Sequence, residues 1–142
     1  MTRVRWAALV PAAVLLLSSV AGCAERPAGA DGAGKTCTET KDGGGLTVVL
    51  DYTPCPIKGG QSASGHFTVK DSSGAVVKDA TVKVLPEMPS MNMKSGEQDA
   101  TPSGDGYDSK LVLGMGGEWT VKVVVTRGSA APAEVTYTLG AK

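Results

Sequence analysis

The sequence predicts an all-β domain. Apolar residues recur at every second position in several short segments, and Gly, Pro and Asp separate those segments. No stretch carries apolar residues at helical spacing over three turns.

The segments follow in order. In "LTVVLDY" (Leu46–Tyr52), Leu46, Val48 and Leu50 alternate with Thr47, Val49 and Asp51. "SGHFTVKD" sets Phe67 and Val69 on one face, with His66, Thr68 and Lys70 on the other. "DSSG" (Asp71–Gly74) reads as a turn. Within "AVVKDATVKVL", Val82 and Val84 alternate with Thr81 and Lys83. "GYDSKLVL" then leads through "GMGG", expected as a hairpin turn, into "EWTVKVVVT". There Trp119, Val121, Val123 and Val125 share a face. "AEVTYTL" closes the chain with Val135, Tyr137 and Leu139 in register. Six to seven short strands of this kind predict an antiparallel β-sandwich of immunoglobulin-like type.

The chain opens differently. Arg3 and Arg5 precede the apolar run "WAALVPAAVLLLSSVAG", which is an export signal, too short for a stable membrane span. Its end, "VAGC" (Val20–Cys23), resembles the bacterial lipobox. That resemblance implies a lipoprotein signal peptide over residues 1–22 and lipidation of Cys23. An ordinary secretory signal is the alternative. Residues 23–36 are small, polar and Gly/Pro-rich, and read as a flexible tether from the lipidated cysteine. Residues 37–142 are the β-sandwich domain, long enough for one core. The localisation expected is exported, attached to the cell membrane and facing its extracytoplasmic side.

The whole chain balances 14 basic against 14 acidic residues, and losing Arg3 and Arg5 leaves a slight acidic excess. With no basic patch, nucleic acid is not an expected partner. Cys37 and Cys55 form an even pair in an exported domain and read as a disulfide rather than a thiolate metal site. No Cys-x-x-Cys spacing or neighbouring histidine favours metal there.

The methionines are placed unusually. Beyond Met1 there are four, and "LPEMPSMNMKSG" holds Met88, Met91 and Met93 while "LGMGGEW" holds Met115. Val84 is the last residue expected to fit the inward alternation, because Pro86 and Pro89 would interrupt ladder pairing. The three methionines are therefore expected on a loop or sheet edge, with Met91 and Met93 pointing the same way if the chain is extended. Thioether sulfur is a soft, neutral ligand that prefers Cu(I) and, unlike a thiolate, does not form disulfides in an oxidising compartment.

The span Gly65 to Val125 resembles the YtkA-like/FixH-like domains of exported bacterial proteins. The resemblance rests on Asp71 and Gly74 at a turn, then Met88-Pro89-Ser90-Met91, then Gly117-Glu118-Trp119. It implies an immunoglobulin-like sandwich outside the cytoplasm, associated with copper handling or with maturation of copper-dependent respiratory oxidases. Met88 and Met91 carry over as candidate ligands, and Met115 matches a methionine often found before the Gly-x-Trp element. Three features depart from the family pattern. Met93 stands where many members have histidine, the Cys37/Cys55 pair is not part of the pattern, and FixH-type members use a spanning helix as anchor.

The remaining groups suit simpler roles. His66 is the only histidine and alternates to the outward face, so it is a weak candidate ligand. "EQDATPSGDGYD" lacks the regular spacing of a calcium loop and reads as solvated. No nucleophile elbow, phosphate-cradling loop or His/Asp constellation is present, so an enzyme is not expected. The expected function is lipid-anchored Cu(I) handling, delivery or resistance through Met88, Met91, Met93 and Met115, by a monomer serving a copper-acceptor protein or oxidase. The alternative is a non-metal module docking a membrane protein through its Met/Pro loop.

Overall fold

Nine antiparallel strands carry the fold in this computed structural model, which describes residues 34–142. The expected signal peptide, the expected lipidation site Cys23 and the part of the expected tether before Gly34 lie outside the described residues. The strands are β1 (Cys37–Gly43), β2 (Leu46–Thr53), β3 (Ser62–Lys70), β4 (Ala80–Met88), β5 (Met93–Lys94), β6 (Gln98–Ser103), β7 (Gly106–Val112), β8 (Gly117–Arg127) and β9 (Ala133–Ala141). Their order is β1-β2-β3-β7-β6-β4-β8-β9, with β5 added to β4. β6 pairs with β7 in one half of the sandwich and with β4 in the other, so it crosses between the two layers.

The period-two patterns read from the sequence become the two inner faces. Val48, Leu50, Phe67 and Val69 from one layer meet Val82, Val84, Trp119, Val121, Val123, Tyr137 and Leu139 from the other, all fully buried or nearly so. Apolar burial on this scale is the main stabilising term. Tyr137 spans the layers and donates its hydroxyl to the Val48 carbonyl at 2.7 Å. Tyr107 pins the long connection before β4, donating to the Val77 carbonyl and accepting from the Ala80 N–H, each at 3.0 Å.

Two strands arise from segments without apolar alternation. β1 is largely polar, yet it pairs along its whole length with β2 through a tight hairpin. Gly44 and Gly45 turn that hairpin with φ of 58° and 77°, values that suit glycine in a two-residue turn. β6 comes from the acidic segment expected to be a solvated loop. Its neighbours β4 and β7 supply the ladder that its own side chains do not encode.

The Cys37–Cys55 disulfide joins the start of β1 to the loop after β2, with Cα atoms 5.7 Å apart. That loop lies against the chain end: Lys142 donates to the Ile57 carbonyl and Gly59 to the Lys142 carbonyl, both at 2.9 Å.

Two local expectations are corrected. β4 does not stop at Val84: Pro86 and Met88 continue its buried face, and pairing with β8 runs through Glu87. The proline is tolerated because a strand residue presents its N and its C=O to the same side. On that side the Pro86 carbonyl accepts from Ser95 at 3.0 Å, within a bulge where Ser95, Gly96 and Glu97 face only Leu85 and Pro86. Nor is "GMGG" a hairpin turn. β7 pairs with β3 and β6, and β8 with β4 and β9, so residues 113–116 cross between layers.

Candidate functional site

The end of β4 builds the site. Met88 is its last residue and pairs directly with Met93, the first residue of β5. Directly opposed residues of an antiparallel pair have Cα atoms about 4.5–5.5 Å apart and side chains on the same face. Both line a cleft of about 300 Å³ with Glu87, Pro89, Asn92 and Lys94. Met88 is buried, and Met93 is half-buried against the same core cluster.

Between them the chain reverses through a single 3-10 turn, Pro89–Met91, and Asn92 takes the left-handed conformation at φ 49°. This turn separates Met91 from Met93, correcting the expectation that the two point the same way from an extended chain. Met91 instead rides on the turn, 59% exposed.

Met115 reaches this rim from the interlayer crossing. Its carbonyl accepts a hydrogen bond from the Trp119 indole N–H at 3.0 Å, and Trp119 is fully buried. The motif spacing thus anchors the loop on the core. Two residues beyond Met115, Gly117 stands against Met88: a Cβ there would lie 2.9 Å from Met88 Cε and 3.9 Å from its sulfur. Gly114 places the same loop over the bulge, with Ser95 Oγ 4.0 Å from where its Cβ would be. Gly59 presses on the loop from the other side, leaving no room for a Cβ against Met115 and Gly116. Met88, Met93 and the Met115 loop are therefore brought to one rim. Gly59 carries no signal in the sequence, whereas Gly117 is marked by the Gly-x-Trp element and only its contact with Met88 is new.

The nearby charges largely offset one another. Lys94 pairs with Glu87 at 3.3 Å beside the two paired methionines. Among the described residues, no three of His, Cys, Asp and Glu cluster so as to hold a metal. The soft donors shown side by side at this rim are the thioethers of Met88 and Met93.

His66 is elsewhere. It lies on β3 opposite Asp108 of β7, and its Nδ1 is 2.5 Å from the Asp108 carboxylate. Asp108 pairs in turn with Thr101, whose neighbour Ala100 faces Val82. Met88 is six positions farther along β4, roughly 20 Å of strand at about 3.3 Å per residue. The His66 hydrogen bond, followed by one from Ser103, holds the Asp108 carboxyl below its ordinary value. The histidine serves as a tie between β3 and β7.

No helix among the described residues is long and apolar enough to cross a membrane. A search of curated proteins gives no match. Among solved structures, the chain is similar to "as isolated" FetP of uropathogenic E. coli strain F11, with a TM-score of 0.50 and 12% identity over 76% of this chain and 93% of that one. At that identity the likeness speaks to the fold alone. The sequence profile of YtkA-like domains, which are exported bacterial domains, matches residues 40–124, more than half of the chain and inclusive of Met88, Met91 and Met115. With the Met-Pro-x-Met turn and the Gly-x-Trp anchor meeting at one rim, the chain belongs to the YtkA-like family.

Proposed function

We propose that this exported domain carries Cu(I) as cargo, held by the thioethers of Met88, Met93 and Met115 and reached through Met91. The observation that carries this reading is the Met88–Met93 register pair with the Met115 loop seated beside it. Three neutral sulfurs suit a soft monovalent ion and disfavour hard cations. The exposure gradient suits transfer: Met88 is 3% exposed, Met115 38% and Met91 59%, so an ion would pass from the exposed thioether inward. His66 takes no part in this site. The chain acts without catalysis, as a monomer attached through lipidated Cys23 to the extracytoplasmic face of a membrane, and passes copper to an acceptor protein such as a respiratory oxidase.

The test is thermal unfolding of the lipid-free domain with Cu(I) under ascorbate. Ligand binding to the folded state raises its stability by about 2.7 kcal/mol at a hundredfold excess over Kd. The shift should disappear when Met88, Met93 and Met115 are replaced by Leu, and persist in His66→Gln. A shift retained by the triple variant removes these sulfurs from the site. The exposure of Met91 and Met115 also favours a second reading, a contact surface for a membrane protein. Absence of any copper shift, together with saturable binding to a purified oxidase, would select it.

A further inference from the structure

The sandwich is open along one side, where β6 leaves β7. The two strands pair only at Thr101↔Asp108, Pro102↔Tyr107 and Ser103↔Gly106, after which β6 turns to β4 and β7 continues along β3. Among the described residues no strand pairs this edge of β7 from Ser109 to Val112. The Ser103↔Gly106 pair closes a two-residue turn and is hydrogen-bonded, so alternation makes Thr101↔Asp108 the next bonded pair. By the same alternation, Lys110 and Val112 direct both N–H and C=O toward the opening, and Asp99 of β6 directs its own from the far side. These groups border a groove of about 660 Å³ whose lining includes Ser64, Gln98, Asp99, Asp108, Lys110 and Val112. Gln98 Oε1 is buried at this groove and lacks a hydrogen-bond partner among the described residues.

We propose that this groove receives an extended peptide segment of a partner protein, which adds as a strand to the free edge of β7. Backbone recognition fits here because the opening offers main-chain donors and acceptors at the strand repeat, and an unpaired edge is a template for pairing. The buried Gln98 oxygen takes an N–H from the incoming segment, removing a cost that a buried unpaired acceptor otherwise carries. Asp99 and Asp108 against Lys110 leave the groove acidic, so the segment is flanked by lysine or arginine. This site is on the side of the sandwich and is independent of the methionine rim.

The experiment titrates the intact domain with the acetylated, amidated heptapeptide Lys-Thr-Val-Thr-Val-Thr-Lys, followed by amide NMR. The expected result is saturable binding, with the largest shifts at Asp99, Lys110, Val112 and the Gln98 side-chain amide. Lys110→Pro removes a donor facing the groove and leaves the β3 ladder intact, because both main-chain groups of Lys110 face the groove and Ser64↔Lys110 is a non-bonded pair of that ladder; it should weaken binding at least tenfold. Lys110→Ala keeps the backbone donor and should bind within about twofold of the parent. A peptide N-methylated at alternate amides should not bind, which preserves the test if the proline variant fails to fold. Shifts elsewhere, no saturation, or equal binding of the N-methylated peptide would overturn the proposal.

Discussion

Met88 and Met93 are partners across an antiparallel ladder although only four residues separate them, because Pro89–Met91 folds into a tight turn and Asn92 adopts a left-handed conformation. Two thioethers are thereby placed side by side by backbone pairing, with no need for side-chain polarity to hold them.

Gly117→Ala should disturb this pair without touching either methionine. The new Cβ would meet Met88 Cε at 2.9 Å, and φ is +134°. Overpacking of this kind costs about 1–3 kcal/mol, with backbone strain in addition, and Cu(I) affinity should fall as Met88 is displaced. Urea unfolding and a competition titration with a chromogenic Cu(I) chelator read the two effects separately.

Tyr137→Phe should remove the tie from β9 to the Val48 carbonyl while keeping the apolar ring. The loss expected is about 1–2 kcal/mol, including the stranded acceptor. An unchanged denaturation midpoint would mean that water replaces the hydroxyl.

Breaking the Cys37–Cys55 bridge, whose partners are 18 residues apart, should cost roughly 3 kcal/mol by the chain-entropy argument. The same loop carries Gly59, which rests on Met115, so a Cys37→Ser/Cys55→Ser domain should also show altered Met115 methyl resonances. Calorimetry and methyl NMR in reducing and oxidising buffer test both.

Stability should fall at both ends of the pH scale. Hydrogen bonds from Ser73, Lys78 and His66 are the main causes holding Asp71, Asp105 and Asp108, respectively, below the ordinary value of 3.8. Carboxyls lowered in the folded state stabilise it above 3.8, and that contribution is lost as acid protonates them. Burial raises Tyr137 and Tyr52 above 10.0, so the fold is also weakened as pH climbs past 10.0, where the unfolded chain ionises first. Melting temperature against pH should give a plateau with two falling limbs, and Asp108→Asn should make the acid limb shallower.

Much of the candidate site was legible because its components are local. Met88, Met91, Met93 and Met115 stand out as the only methionines after Met1, and Gly117-Glu118-Trp119 marks the anchor of the second loop. Their relations were not legible. The burial of Met88, the turn that parts Met91 from Met93, and the separation of His66 from the rim all depend on which strands pair and in what register.

Alternation of apolar and polar residues is a property of a few neighbouring positions, so it was enough to specify β2, β3, β8 and β9, their buried faces and an all-strand fold. β1 and β6 carry almost no such signal and exist because neighbouring ladders satisfy their backbone groups. The crossing of residues 113–116 between layers, and with it the seating of Gly117 against Met88, follows from long-range pairing. Such pairing is chosen by the free energy of the whole packed sandwich, which no short window of residues contains.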